Sequence, residues 1–130
     1  MIFQHTHAAV LNGSKTQTRR RRKPGERPHD GYRPGLPILK VIDSSGRSRY
    51  EVGKTYAVQE HRGGRAVARI QITGIRYFAA AGIITAEDAA AEGFESIRAF
   101  LTTYGVINGA AALWLPCWSL SFQLVEGSQA

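Results

Sequence analysis

Apolar and polar residues alternate along two stretches of this chain, and the alternation predicts strands. From Ala66 to Tyr77, Val67, Arg69, Gln71 and Thr73 oppose Ala68, Ile70, Ile72 and, one step late, Ile75. A period of two puts each set on its own face, so this is a long strand with one buried side. Gly74 interrupts the pattern and marks the place for a bulge. From Trp118 to Val125, Trp118, Leu120, Phe122 and Leu124 share a face and predict a closing strand. Tyr50 to Glu60 reads as a turn entering a strand, and Gly63-Gly64 supplies a hairpin turn before the long strand. Ile2-Phe3 begins a short first strand.

Between these segments the period lengthens. Residues 5 to 12 are helix-compatible and stop at Asn12-Gly13, where glycine enters the left-handed cap conformation without steric cost. Thr85-Ala86-Glu87-Asp88 has the form of a capping box, with Thr85 as cap and Asp88 reaching back. That helix runs to Glu92 and stops at Gly93. A further helix spans Glu95 to Tyr104, with Ile97, Phe100, Leu101 and Tyr104 on one side and Gly105 at its end. Residues 21 to 49 are dense in Arg, Pro, Gly and Ser and read as a long loop, with one brief strand at Ile38 to Ile42. Strands without regular βαβ units predict an α+β fold, a small mixed β-barrel flanked by short helices. It would occupy residues 1–126 as a single domain, with a frayed tail at 127–130.

Charge changes the picture. The chain has 130 residues and a formal net charge of +7. Residues 15 to 40 hold Lys15, Arg19, Arg20, Arg21, Arg22, Lys23, Arg27, Arg33 and Lys40 against only Glu26 and Asp30, so the whole excess lies there. So local a field attracts polyanions, nucleic acid first among them, although a solvated linker has the same composition. No apolar run approaches the roughly 18 to 20 residues that span a bilayer, and no leader pattern is visible, so a cytoplasmic protein without a membrane partner is expected. The lone Cys117 fits a reducing compartment and reads as a small buried hydrophobe. His5, His7, His29 and His61 have no structural zinc spacing, so neither metal nor cofactor is expected.

The candidate chemistry sits in Lys15-Thr16-Gln17-Thr18-Arg19-Arg20, where a helix has just ended and a strand can start. An amine, two hydroxyls and a guanidinium suit a polar, oxygen-rich ligand. Lys-Thr-x-Thr-x-Arg after a helix-Gly end resembles the signature of the ASCH-domain family, which has a PUA-like fold. Four further stretches carry the resemblance: Val52 to Glu60, the strand Ala66 to Ile75, Ile84-Thr85-x-x-Asp88-Ala89-x-x-Glu92-Gly93-Phe94, and Trp118-x-Leu120-x-Phe122-x-Leu124. The basic insert at 21–49, and Val-Gly-Lys where the family has Pro-Gly-Asp, are departures.

The resemblance implies RNA or a modified nucleoside as ligand, held in a cleft lined by Lys15, Thr16, Thr18, Arg20 and Glu92. Arg19, Arg21, Arg22 and Lys23 would add RNA contacts. It also implies an alternative: in an amidohydrolase branch that deacylates N4-acetylcytidine, the catalytic lysine, threonine and glutamate match Lys15, Thr18 and Glu92. A ribonuclease is the weaker third reading. The residues leave binding and catalysis both open. A straight strand would point Lys15 and Thr18 to opposite faces, so a shared site needs the chain to turn between them.

Overall fold

In the computed structural model the structure describes residues 1–125, so the tail expected at 127–130 lies outside the described residues. The two alternating stretches form the centre of a curled antiparallel sheet. Its strands are β1 (Gln17–Arg21), β5 (Thr55–Gln59), β6 (Ala66–Phe78) and β7 (Cys117–Leu124), in the order β1-β7-β6-β5. A second sheet joins β2 (Arg27–Pro28), β3 (Lys40–Ile42) and β4 (Ser48–Glu51). A single antiparallel bridge, Ile38 to Ile75, connects this unit to β6. A parallel bridge from Ile2 to Gln59 brings the N-terminus to the opposite edge. The result is an α+β half-barrel with short helices: α1 (His7–Leu11), α2 (Ala86–Ala91) and α3 (Ile97–Asn108).

The expected bulge is present: the β6–β7 register shifts between Ile72 and Gly74. It lets Ile75 rejoin Ile70 and Ile72 on the buried face. Thr85 caps α2 by accepting from the Asp88 N–H, but the Asp88 carboxylate turns to Arg19 and Arg76 instead of reaching back. α3 is longer than its sequence suggests. Ser96 caps it, Gly105 is carried through, and the chain leaves the helix at Gly109, with φ of 91°. Glycine in a helix costs only about 1 kcal/mol, which the burial of Phe100 and Tyr104 offsets.

The largest departure lies at residues 21–49. This segment is not a free loop: β2 and β3 lie inside it and β4 begins within its last two residues. Ile38, Val41 and Tyr50 enter the main core with Ile72, Ile75, Trp118 and Leu120. Its order depends on a polar residue. The Glu26 carboxylate is 2% exposed and accepts from the Lys23 N–H (2.9 Å), Trp118 Nε1 (3.0 Å) and Arg49 Nε (3.1 Å). Three donors from three parts of the chain thus converge on one buried anion. Arg21, Arg22, Lys23, Arg27 and Arg33 remain on the surface of this unit.

Glu26→Ala leaves the Trp118 N–H buried without an acceptor and should destabilise the fold by about 2–4 kcal/mol. Glu26→Gln keeps a carbonyl oxygen for Trp118 and should cost roughly half as much. Urea denaturation of the three proteins measures both; equal stability of Glu26→Ala and the parent would contradict this role.

Candidate functional site

β1 is the free edge of its sheet, and the residues around its start meet quite different surroundings. Gly13, at φ of 84°, ends α1. The Lys15 N–H then bonds to Ala9 O (3.0 Å) and the Thr16 N–H to Ala91 O (2.8 Å), which ties the chain between α1 and α2 before the pleat begins. Lys15 therefore lies outside the strand's alternation. It lines the same cavity as Thr18.

That cavity has a volume of about 370 Å³. Lys15, Thr18, Arg20 and Glu92 line it, and Phe3, Phe94, Phe100 and Tyr104 contribute apolar walls. The Lys15 Nζ donates to Glu92 O at 2.5 Å and lies 3.7 Å from Glu92 Oε1. The two side chains are 3% and 2% exposed. The rings of Phe3 and Phe94 lie 5.8 and 5.7 Å from the ammonium. Glu92 Oε1 also accepts from the Arg19 N–H at 3.0 Å, while Oε2 is buried with no partner among the described residues. Arg20 Nε donates to Thr18 Oγ1 at 3.2 Å, and its Nη2 to Ile2 O at 2.9 Å.

Local sequence explains how the carboxylate arrives. Glu92 is the C-cap of α2, where a negative side chain opposes the helix dipole and calls for a cation. Gly93 turns the chain away at φ of 90°, and a Cβ there would sit 3.2 Å from the Cβ atoms of both Ala9 and Lys15. Only glycine permits this approach.

Burial sets the electrostatics. It pulls the Lys15 ammonium down from 10.5 to about 8; the Glu92 carboxylate opposes the shift and the nearby Arg20 charge adds to it. Burial pushes the Glu92 carboxyl above its usual range, against the pull of Lys15 and the Arg19 N–H. The pair thus holds a readily displaced proton near neutral pH. Burial also raises the Cys117 thiol to about 11, which keeps it protonated and inert.

The remaining residues of the motif divide. Thr16 is exposed and is not among the residues lining the cavity, so it does not join the cleft expected of it. Arg19, expected as an RNA contact, is an internal strut. Its side chain is 0% exposed, donates to Ala81 O (2.9 Å) and Ile83 O (3.1 Å), pairs with Asp88 at 3.6 Å and covers the Phe78 ring. Arg21 is exposed and lines the cavity; so does Arg62, which no sequence pattern marked. Arg22 and Lys23 are exposed beyond this cavity. Among the tyrosines, Tyr50 is core and Tyr32 is open to solvent. No group of three or more His, Cys, Asp or Glu side chains that could hold a metal lies among the described residues. Nor is any helix among them long and apolar enough to cross a membrane.

Glu92→Gln removes the negative charge that holds the Lys15 proton in place, so the Lys15 titration should move further below about 8. An NMR titration of the Lys15 side chain, assigned by comparison with Lys15→Arg, follows it. A move upward would show that the two side chains do not interact as described.

No family model matches the chain, and no curated protein matches it. Solved structures do. The ASCH domain from Lactobacillus crispatus JV V101 superposes with a TM-score of 0.63 at 13% identity, covering 90% of this chain and 68% of that one. The hypothetical protein PH0355 gives 0.61 at 14% identity, with 96% of each chain covered. Protein EF3133 from Enterococcus faecalis V583, of family DUF984, gives 0.57 at 15% identity, covering 91% of this chain and 68% of that one. Curled antiparallel sheet, flanking helices and these superpositions together show that the chain has an ASCH-like fold.

Proposed function

We propose that the cavity takes a nucleoside and hydrolyses an amide on its base, as an amidohydrolase of N4-acylated cytidine does. The observation that carries this reading is the Lys15–Glu92 pair, buried beside Thr18 in a cavity large enough for a nucleoside. A buried ion pair is poor value as a stabilising device, because desolvation costs several kcal/mol per ion. A lysine brought down to about 8 suits proton transfer at physiological pH. The likeness of Lys-Thr-x-Thr-x-Arg to the amidohydrolase branch supports the same assignment.

In this reading the neutral Lys15 amine takes the proton of the Thr18 hydroxyl as its oxygen attacks the acyl carbonyl carbon. The Arg20 Nε–H, already directed at Thr18 Oγ1, steadies the charge on that oxygen before attack. The C–N bond then breaks, and the amine leaves with the proton that Lys15 took from Thr18, passed on through the Glu92 carboxylate, whose affinity for protons burial has raised. Water cleaves the Thr18 ester, releases the carboxylic acid and restores the hydroxyl. The unpartnered Glu92 Oε2 supplies an acceptor for the exocyclic N–H.

Incubation with N4-acetylcytidine, followed by chromatography for cytidine, tests this directly. Lys15→Ala and Lys15→Arg should each lower kcat by at least about a hundred-fold, because arginine binds anions but does not act as a base. Glu92→Gln should lower kcat far more than it raises KM. The reaction requires the deprotonated lysine, so its rate should climb with pH and level off above about 8. Substantial activity in Lys15→Arg, or a rate that falls between pH 7 and 8, would overturn Lys15 as the base, and no cytidine released by the parent protein would leave base binding without hydrolysis.

A further inference from the structure

A second hollow lies on the other side of the β1 arginines. Its volume is about 250 Å³, and Arg22, Pro28, Tyr32, Tyr77 and Trp118 line it. The three rings form a chain: Tyr32 to Tyr77 is 6.1 Å between centroids, and Tyr77 to Trp118 is 5.5 Å. The innermost ring is held firmly, because Trp118 Nε1 donates to the buried Glu26. The outermost, Tyr32, is 62% exposed. Arg22 is fixed beside them by its Nε bond to Glu26 O at 2.8 Å. Aromatic faces beside a guanidinium suit a planar nitrogen heterocycle.

The position of this hollow matters as much as its lining. Trp118 faces Tyr77 across β6–β7 and Arg20 across β1–β7, so all three side chains stand on one side of the sheet. Arg22 continues that row two residues on, about 7 Å along an extended chain. Arg20 lines the first cavity and Arg22 the second. Two hollows, each able to hold a base, are thus separated by two guanidinium groups. Arg49, pairing with Glu26 at 3.1 Å, adds a third cation to this ridge.

We propose that the Tyr32–Tyr77–Trp118 hollow stacks a second nucleobase, so that the ligand of this domain is a base within a single-stranded nucleic acid of at least two nucleotides. One base enters the Lys15 cavity and its neighbour lies on Tyr32 and Tyr77. The linking phosphate rests against Arg20 and Arg22. The inference rests on the nucleoside reading of the first cavity and extends it from a free nucleoside to a strand.

Calorimetric titration with cytidine and with the dinucleotide cytidylyl-cytidine tests it, alongside the turnover assay on N4-acetylcytidine. The dinucleotide should bind at least ten-fold more tightly than cytidine. Tyr32→Ala, at an exposed position that leaves the core intact, should weaken dinucleotide binding about ten-fold and leave cytidine binding unchanged. Tyr32→Phe keeps the stacking face and should retain the parent affinity. Dinucleotide binding no tighter than cytidine, or a Tyr32→Ala loss equal for both, overturns the second site. Turnover of the nucleoside with no gain from the dinucleotide sinks the second site alone. Tight, Tyr32-dependent dinucleotide binding without turnover sinks only the hydrolase reading. Neither binding nor turnover sinks both.

Discussion

A lysine and a glutamate share one apolar pocket here, and much of the surrounding structure serves to make that tolerable. Lys15 is held between the rings of Phe3 and Phe94 with almost no water contact. Alone, either charge would be far too costly to bury. Together they compensate, because the carboxylate at the end of α2 needs a cation and the lysine needs an anion. The close approach depends on Gly93, which turns the chain where a side chain would strike Ala9 and Lys15. It depends equally on the backbone bonds that hang Lys15 and Thr16 between two helices ahead of β1.

The free edge of β1 follows from the same arrangement. An unpaired strand edge is normally covered or charged to prevent unwanted pairing. Here part of the edge is occupied from within, since Glu92 Oε1 accepts the Arg19 N–H. The rest borders the cavity. Consecutive residues therefore have unrelated duties: Thr18 lines the cavity, Arg19 locks α2 and the segment before it to the sheet, and Arg20 bridges Thr18 to the N-terminus. A basic run that looks uniform in sequence is divided by the pleat into a buried strut, a cavity wall and a solvated surface.

Glu26 plays a comparable part for the basic insert. A segment rich in turn formers and cations has little apolar material with which to order itself. It is ordered because one buried acid sits on the Trp118 indole and gathers Lys23 and Arg49. The apolar residues of β3 and β4 then close over the main core. Those same contacts fix Trp118 and leave its aromatic neighbours facing a hollow, so insert and sheet together form a surface that neither has alone.

The parts of the fold whose signal is local were readable along the chain. Alternation marked β6 and β7, the glycine in β6 marked the bulge, and Thr85 with Gly93 bounded α2, because side-chain period and cap chemistry act within a few residues. The order of motifs was enough to indicate an ASCH-like fold. Tertiary structure decided everything that depended on pairing at a distance. Thr16 and Arg19 were indistinguishable in sequence from their neighbours, yet one faces solvent and the other is wholly buried. The insert looked like a loop because Glu26 is one charge among many until Trp118, 92 residues away, supplies its partner. α3 outran its glycine because packing of Phe100 and Tyr104 outweighs a small local penalty. Lys15 and Glu92 were each readable as candidates. Their meeting 77 residues apart, and the shift it imposes on both, exists only once the chain has closed around them.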